Sequence, residues 1–488
     1  MCILIQPNGT LFSFNQMNKF YSTLLRLLNP DPILFWAYLL PIFYWIYLTL
    51  TTNFVLVFDS EGYYALARLF YDGHWSEYFR SGPSREPLYP LVIAASMYAG
   101  KWLGISYTYP LKIFSFGFLA ATMFLIQQIL RIINTNRWIQ AATILYTGFS
   151  PILINSALCL YSEIVTFPWL VGAVLTGIYF VRSLRPSQPP HFSASIGLGI
   201  CFLGFTFVKG MGEILAPLFF CWLIFYGWRQ SVLKILPFLR QSKIKILLVL
   251  FVFYSPLLLY KSLNYTFNNH FVLTNRMDMA LYGNLNLRAK SPLTMDNFLN
   301  HLSTVPVSYD LCPHFFHEKC SHWTMSSSDE TYLTREDQLN KQNLTSAQNE
   351  KIIHQETLRA FFGHPIAQCV FLAQEGMKMF FWETTRGAFV SYPPWLENLF
   401  NVPCIVILTS LGVGIFCLGG FLIACTLLKN ELVLITFVLT SLLIVSFSFV
   451  FIIHRYTIIA APLMILLNAS CLSVVVSAFF ASKVQKNH

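Results

Sequence analysis

Apolar residues run along this chain in long blocks rather than at a helical or strand period, and polar residues are confined to the gaps between blocks. A helix that crosses a bilayer needs roughly 20 apolar residues. By that measure residues 33–57, 109–131, 138–158 and 162–181 each predict a span, 193–208 and 211–227 predict a short helical hairpin, and 244–262 predicts the next span. After a long polar interval the pattern resumes at 402–427, 432–452 and 457–481. The expectation is an all-α polytopic membrane protein with about 10 transmembrane helices. Two further apolar stretches, 88–104 and 361–382, are short and carry Lys101, Glu375 and Lys378 in their interiors. They are expected to be helices lying at the interface.

The predicted organisation has three parts. Residues 1–262 form an N-terminal transmembrane module with its first extracytoplasmic loop at 58–108, residues 263–401 form an extracytoplasmic loop region, and residues 402–488 form the C-terminal helices. No internal repeat or low-complexity tract stands out. The N-terminus lacks the basic start followed at once by an apolar core that marks a signal peptide, so the stretch from Ile33 is expected to be an uncleaved first helix.

Composition agrees with a membrane setting. The chain is 55% hydrophobic, 17% aromatic and only 11% charged, which excludes the surface of a soluble globule. The formal charge of +10 would suggest nucleic acid in a soluble protein. Here the cations sit in short connectors, and with ten spans Arg131, Arg137, Arg182, Arg185, the run from Arg229 to Lys245, Lys429, Lys483 and Lys486 all fall on one face. The positive-inside rule makes that face cytoplasmic, and no nucleic-acid partner is needed. The opposite face receives 58–108, the turns at Tyr161–Glu163 and Lys209–Glu213, the loop 263–401, and His454 with Arg455.

Nine of the eleven cysteines lie at the N-terminus or in and beside apolar runs, where they read as small buried hydrophobes. Cys312 and Cys320 lie in the extracytoplasmic loop, in CPHFFHEKC, where a disulfide is expected. The alternative is a metal site built from Cys312, His314, His317, Cys320 and His322, whose spacing matches no standard zinc pattern.

The stretch FDSEGYYALARLF, 58–70, sets Asp59 and Glu61 at a predicted membrane edge. One reading is purely structural: Asp59 caps a helix, Glu61 meets its dipole, and Gly73 ends it. The other is chemical, because a partly desolvated carboxylate there is placed to accept a proton or hold a cation. Glu163, acidic at a span boundary, is expected to face a partner or a cavity. Lys209 and Arg455 at span ends read either as snorkelling anchors or as anion ligands, and Arg85 either pairs with Glu86 or Glu77 or binds an anion. Tyr63, Tyr64, Trp75 and Tyr78 suit an aromatic belt.

Several of these positions carry a family resemblance. Asp59-Ser60-Glu61 after the first span, Tyr63 four residues on, an Ala-containing helix ending in Gly73, then Arg85-Glu86-Pro87-Leu88-Tyr89-Pro90 and an apolar helix closing at Gly104 resemble the first extracytoplasmic loop of the GT-C superfamily of integral-membrane glycosyltransferases. Ser162-Glu163 is similar to the pair that opens a later span in that family, and Arg455-Tyr456 with Pro462 to a motif near its C-terminus. Phe207-Val208-Lys209-Gly210 departs from it, since relatives commonly carry Arg-Pro there, and Lys offers a cation without a bidentate fork.

The resemblance, of the protein mannosyltransferase or aminoarabinose transferase kind, implies an inverting enzyme that moves a sugar from a polyprenyl-phosphate-linked donor to a lipid, glycan or protein acceptor on the extracytoplasmic face. It implies Asp59, Glu61 and Glu163 as catalytic residues, Arg85, Lys209 and Arg455 as ligands of the donor phosphate, and Tyr63, Tyr89 and His454 as acceptor or sugar contacts. No cofactor is firmly implied; a divalent cation at Asp59 or Glu61 is the alternative. A bacterial inner membrane with a periplasmic site is the implied location, an ER membrane with a lumenal site the alternative. The competing class is a lipid-carrier flippase or secondary transporter, which also keeps ionisable residues at membrane depth.

Overall fold

The computed structural model describes residues 31–56, 59–81, 85–184, 192–231, 235–274, 276–291, 293–294, 325–342, 346–385, 390–449 and 454–486. Cys312, Cys320 and the three histidines near them lie outside these residues, so the expected disulfide and its metal alternative do too. Helix α1 (Pro32–Thr51) starts at Asp31, whose carboxylate accepts from the Ile33 N–H at 3.1 Å, and leads into the short strand β1 (Asn53–Phe54). Then α2 (Asp59–Tyr71), α3 (Trp75–Arg80) and α4 (Leu88–Leu103) build the first loop, and α4 ends where Gly104 takes a left-handed φ of 68°.

The bundle continues with α5 (Thr108–Ile132), α6 (Arg137–Phe149), α7 (Pro151–Leu158), α8 (Glu163–Ser183), α9 (Phe192–Val208), α10 (Gly212–Arg229) and α11 (Ile235–Asn268). Next come α12 (Arg276–Ala289), α13 (Met325–Asn340), α14 (Ser346–Gly363), α15 (Pro365–Lys378), strand β2 (Val390–Ser391) and α16 (Pro394–Phe400). The chain closes with α17 (Pro403–Thr426), α18 (Glu431–Ser448), the single turn α19 (His454–Thr457) and α20 (Ala461–Lys486).

Among the described residues seven helices are long and apolar enough to cross a membrane: α1, α5, α8, α11, α17, α18 and the stretch Ile458–Phe479. The expected span 138–158 forms as α6 and α7, bent by 47°. Pro151 cannot donate to the α6 ladder, and the Ser150 hydroxyl takes over as cap, accepting from Leu153 N. Counting that pair gives eight. The expected hairpin forms as α9 and α10, but α9 has only 17 residues and neither helix is among the seven.

Polar contacts gather at the two ends of the bundle. At one end Arg182 Nε meets Glu431 Oε2 at 3.1 Å, Arg137 meets Asp31 at 3.0 Å, and Lys245 donates to the Ser183 carbonyl. At the other, β1 pairs antiparallel with β2, the Tyr78 and Tyr260 hydroxyls meet at 3.0 Å, and Asn268 donates to the Phe79 carbonyl. A buried lysine illustrates how this end is made compatible with an apolar interior: Lys112 donates to the carbonyls of Thr49 and Thr52, the free backbone acceptors at the end of α1.

The stretch 361–382 departs from the expected surface helix. A short α15 runs into the bundle, where Gly376 meets Ile444 and Ser448 of α18. The chain then carries Phe380 to Phe421 of α17 and returns to β2. Glu375 and Lys378, which argued for an interfacial position, are 0% and 1% exposed and bond each other at 2.9 Å. Spaced one helical turn apart, they neutralise each other, and the pair rather than single charges enters the interior. Outside the bundle α12, α13 and α14 pack around Tyr282, Leu339 and Ile353, tied by Arg335 to Glu356.

Candidate functional site

Four segments distant in sequence meet at the end of the bundle opposite Arg137 and Arg182: the start of α2, the loop before α4, the start of α8 and the turn between α9 and α10. Asp59 is the first residue of α2, and its face of the helix, with Ser60, Tyr63, Leu66, Ala67 and Phe70, is the buried one. Arg85 bonds Asp59 through Nη2 and lies over the Tyr63 ring, Cζ 5.1 Å from the centroid. It is 9% exposed. The surface pairing with Glu86 or Glu77 therefore does not form. Among the described residues Arg85 Nη1 is buried without a hydrogen-bond partner.

A second acid and base pair lies beside the first. Glu163 opens α8 and is 1% exposed; Lys209 follows the last turn of α9, and its Nζ stands 2.9 Å from Glu163 Oε1. The Tyr456 ring lies 5.7 Å from the same ammonium. Tyr63 stands between the pairs. Its hydroxyl shares a 3.1 Å hydrogen bond with Ser162, the residue before Glu163, while its ring supports Arg85. Burial raises the Tyr63 hydroxyl above its ordinary pKa, Lys209 and Arg85 pull it down, Glu86 and Glu163 push it up, and the net result is a neutral phenol.

Glu86 fastens the arrangement from below. Its Oε1 accepts from the Gly210 N–H at 2.8 Å, joining the loop before α4 to the turn that carries Lys209. A side chain at Gly210 would meet Thr274 Cγ2 at 3.0 Å, so the close approach of this turn uses a residue without one. The adjacency of Glu86 to Arg85 was the available sequence signal, but it pointed to an ion pair rather than to a backbone clasp.

Of the residues singled out in the sequence, Asp59, Arg85, Glu163, Lys209 and Tyr63 come together. Glu61 does not: two positions along a helix turns a side chain about 200° from Asp59, and Glu61 is exposed on the far side of α2. Tyr89 is 1% exposed, packed edge-on against Tyr63 at 5.0 Å with its hydroxyl on the Cys159 carbonyl, and so forms the floor of the site rather than its lining. The backbone of α19 runs past the site through Tyr456, but the side chains of His454 and Arg455 lie outside the described set. Among the described residues no group of three or more His, Cys, Asp and Glu side chains is arranged to hold a metal.

Chemically, the site combines two carboxylates and two cations at the mouth of an apolar bundle. Such a set can take a proton and neutralise a departing oxyanion. Comparison of this chain with family models, with curated proteins and with solved structures finds no match.

Proposed function

We propose that the chain is an inverting glycosyltransferase of the GT-C kind, with ten passes, that moves a sugar from a polyprenyl-phosphate donor to an acceptor on the extracytoplasmic side of the membrane, the bacterial periplasm. The observation that carries this reading is the convergence of the pairs Asp59–Arg85 and Glu163–Lys209 at one end of the bundle. Asp59 takes the proton of the acceptor hydroxyl as its oxygen attacks the anomeric carbon. The bond between that carbon and the phosphate oxygen breaks, its electron pair leaves with the lipid phosphate, and Arg85 and Lys209 stabilise the charge that develops. Arg85 suits the task because its Nη1 can donate to a phosphate oxygen while its Nη2 holds Asp59.

The test is sugar transfer from a defined polyprenyl-phosphate sugar by purified protein, wild type against Asp59→Asn at matched folding. Loss of transfer with donor binding retained is expected. Unchanged transfer removes Asp59 from the chemistry. The second reading is a lipid-carrier flippase or secondary transporter, favoured by the Glu375–Lys378 pair inside the bundle; carrier translocation without transfer by the wild type would select it.

A further inference from the structure

Away from the ion pairs, a cavity of about 590 Å³ lies between α6 and α17, with α20 behind it and Trp382 closing one end. Filled with water it would hold on the order of twenty molecules, each needing two to four polar partners. The walls supply almost none. No charged residue lines the cavity. Its polar side chains are already engaged elsewhere: Thr143 donates to the Ile139 carbonyl, Tyr146 to Glu383 and Asn468 to the Met464 carbonyl, at 2.7, 2.8 and 2.8 Å.

The walls also say what lies outside. Both α17 and the stretch containing α20 are long and apolar enough to cross a membrane, and α6 is half of the broken span. Trp138, Phe416 and Leu472 on its walls are 65%, 59% and 45% exposed, so the mouth lies on the outer surface of helices apolar enough to sit in a membrane. At the end away from Trp382 stands Trp138, 65% exposed, directly after Arg137. Tryptophan followed outward by arginine marks the headgroup level of a leaflet. On the α17 wall a side chain at Gly412 would meet nothing within 4 Å, so the space there is open by the absence of a side chain.

We propose that this cavity binds one acyl chain of a glycerophospholipid, which enters from the leaflet at the Arg137 end and holds α6 and α17 apart. The headgroup phosphate rests on the exposed part of the Arg137 guanidinium that its Nη1 contact with Asp31 leaves over, and the chain runs toward Tyr146 and Trp382. Packing against fitted walls, not water exclusion, holds it, as for helix contacts within a bilayer. The assignment is independent of the proposed transfer reaction.

The test is native mass spectrometry of the full chain, purified in mild detergent and reloaded from vesicles of phosphatidylglycerol and phosphatidylcholine. Wild type is expected to retain one phospholipid mass at detergent concentrations that strip the others. Gly412→Leu and Ala142→Leu fill the cavity from opposite walls and are each expected to lose that lipid. Ile415→Phe, on the outer face of α17, keeps it. Retention by both filled variants, or loss in step with Ile415→Phe, overturns the site. A retained mass that is a polyprenyl carrier instead of a phospholipid overturns the choice of occupant.

Discussion

Replacing Glu163 with Gln keeps the shape of a side chain that is 1% exposed and removes the charge that faces Lys209 Nζ at 2.9 Å. At an effective dielectric of about 20 the lost attraction is roughly 6 kcal/mol, from which the solvation regained by a weakly exposed Lys209 must be subtracted. Lys209 keeps its place over the Tyr456 ring, worth about 1 kcal/mol. The expected loss of stability is about 3–5 kcal/mol, the usual range for stranding one partner of a buried pair. Lys209→Met strands Glu163 in the same way. The double variant strands neither charge, so it should be more stable than either single change, with a coupling of at least about 2 kcal/mol. Thermal unfolding of the four proteins in one detergent reads this directly. Additive losses would mean that the two side chains do not act as a pair and would remove the electrostatic account of this half of the site.

Three further outcomes are expected. Glu375→Gln leaves Lys378 and the fully buried Arg288 without their neighbouring carboxylate, and should lower stability by about 3–5 kcal/mol, whereas Glu375→Gln combined with Lys378→Met should recover only the part due to Lys378 in the same unfolding assay, since Arg288 still lacks its carboxylate. Burial alone would raise the carboxyl of Glu356, but the Arg335 and Tyr282 hydrogen bonds outweigh it and hold it below 4.5. Its contribution is therefore present above about pH 4.5 and lost as pH falls through the lower folded value. Because the pair is partly exposed, the effect should stay below about 1 kcal/mol, and hydrogen exchange of α12–α14 in acid should lose that component in Glu356→Gln. Finally, because Asp59 and Glu163 each already face a cation, transfer should survive EDTA; loss of transfer restored by Mg²⁺ would assign Asp59 to a metal instead.

The spans were legible because a run of roughly 20 apolar residues has few other uses. Where the reading missed, the cause was local. Pro151 sits inside an apolar run that hydropathy cannot divide, and a bend made by one missing N–H and one serine cap leaves no trace in the average. At the start of α2 the sequence reading kept both carboxylates, although the helix it expected there already separates them. A helix that opens on Asp59 must turn Glu61 away from whatever Asp59 faces, so the period of the helix alone chooses between two carboxylates that composition treats as equal. Arg85 was harder, because nothing in its neighbourhood distinguishes a surface pairing with Glu86 from a buried one with a residue 26 positions earlier.

The same ambiguity runs through every ionisable residue inside an apolar stretch, and partner geometry resolves it differently each time. Lys112 finds two carbonyls at the end of α1 and is complete. Lys378 finds Glu375 one turn away, and the pair lets a short helix enter the bundle instead of resting on it. Lys209 and Arg85 find carboxylates from distant segments, at the one end of the bundle where the loops gather. A charge completed by its own helix or by backbone explains itself as structure. Partners drawn together from the start of α2, the loop before α4, the start of α8 and the turn after α9 cost the chain loop closure and desolvation at once, which no requirement of packing imposes. That cost, borne twice at adjacent positions, is the physical reason to seek the chemistry there rather than at the other buried charges.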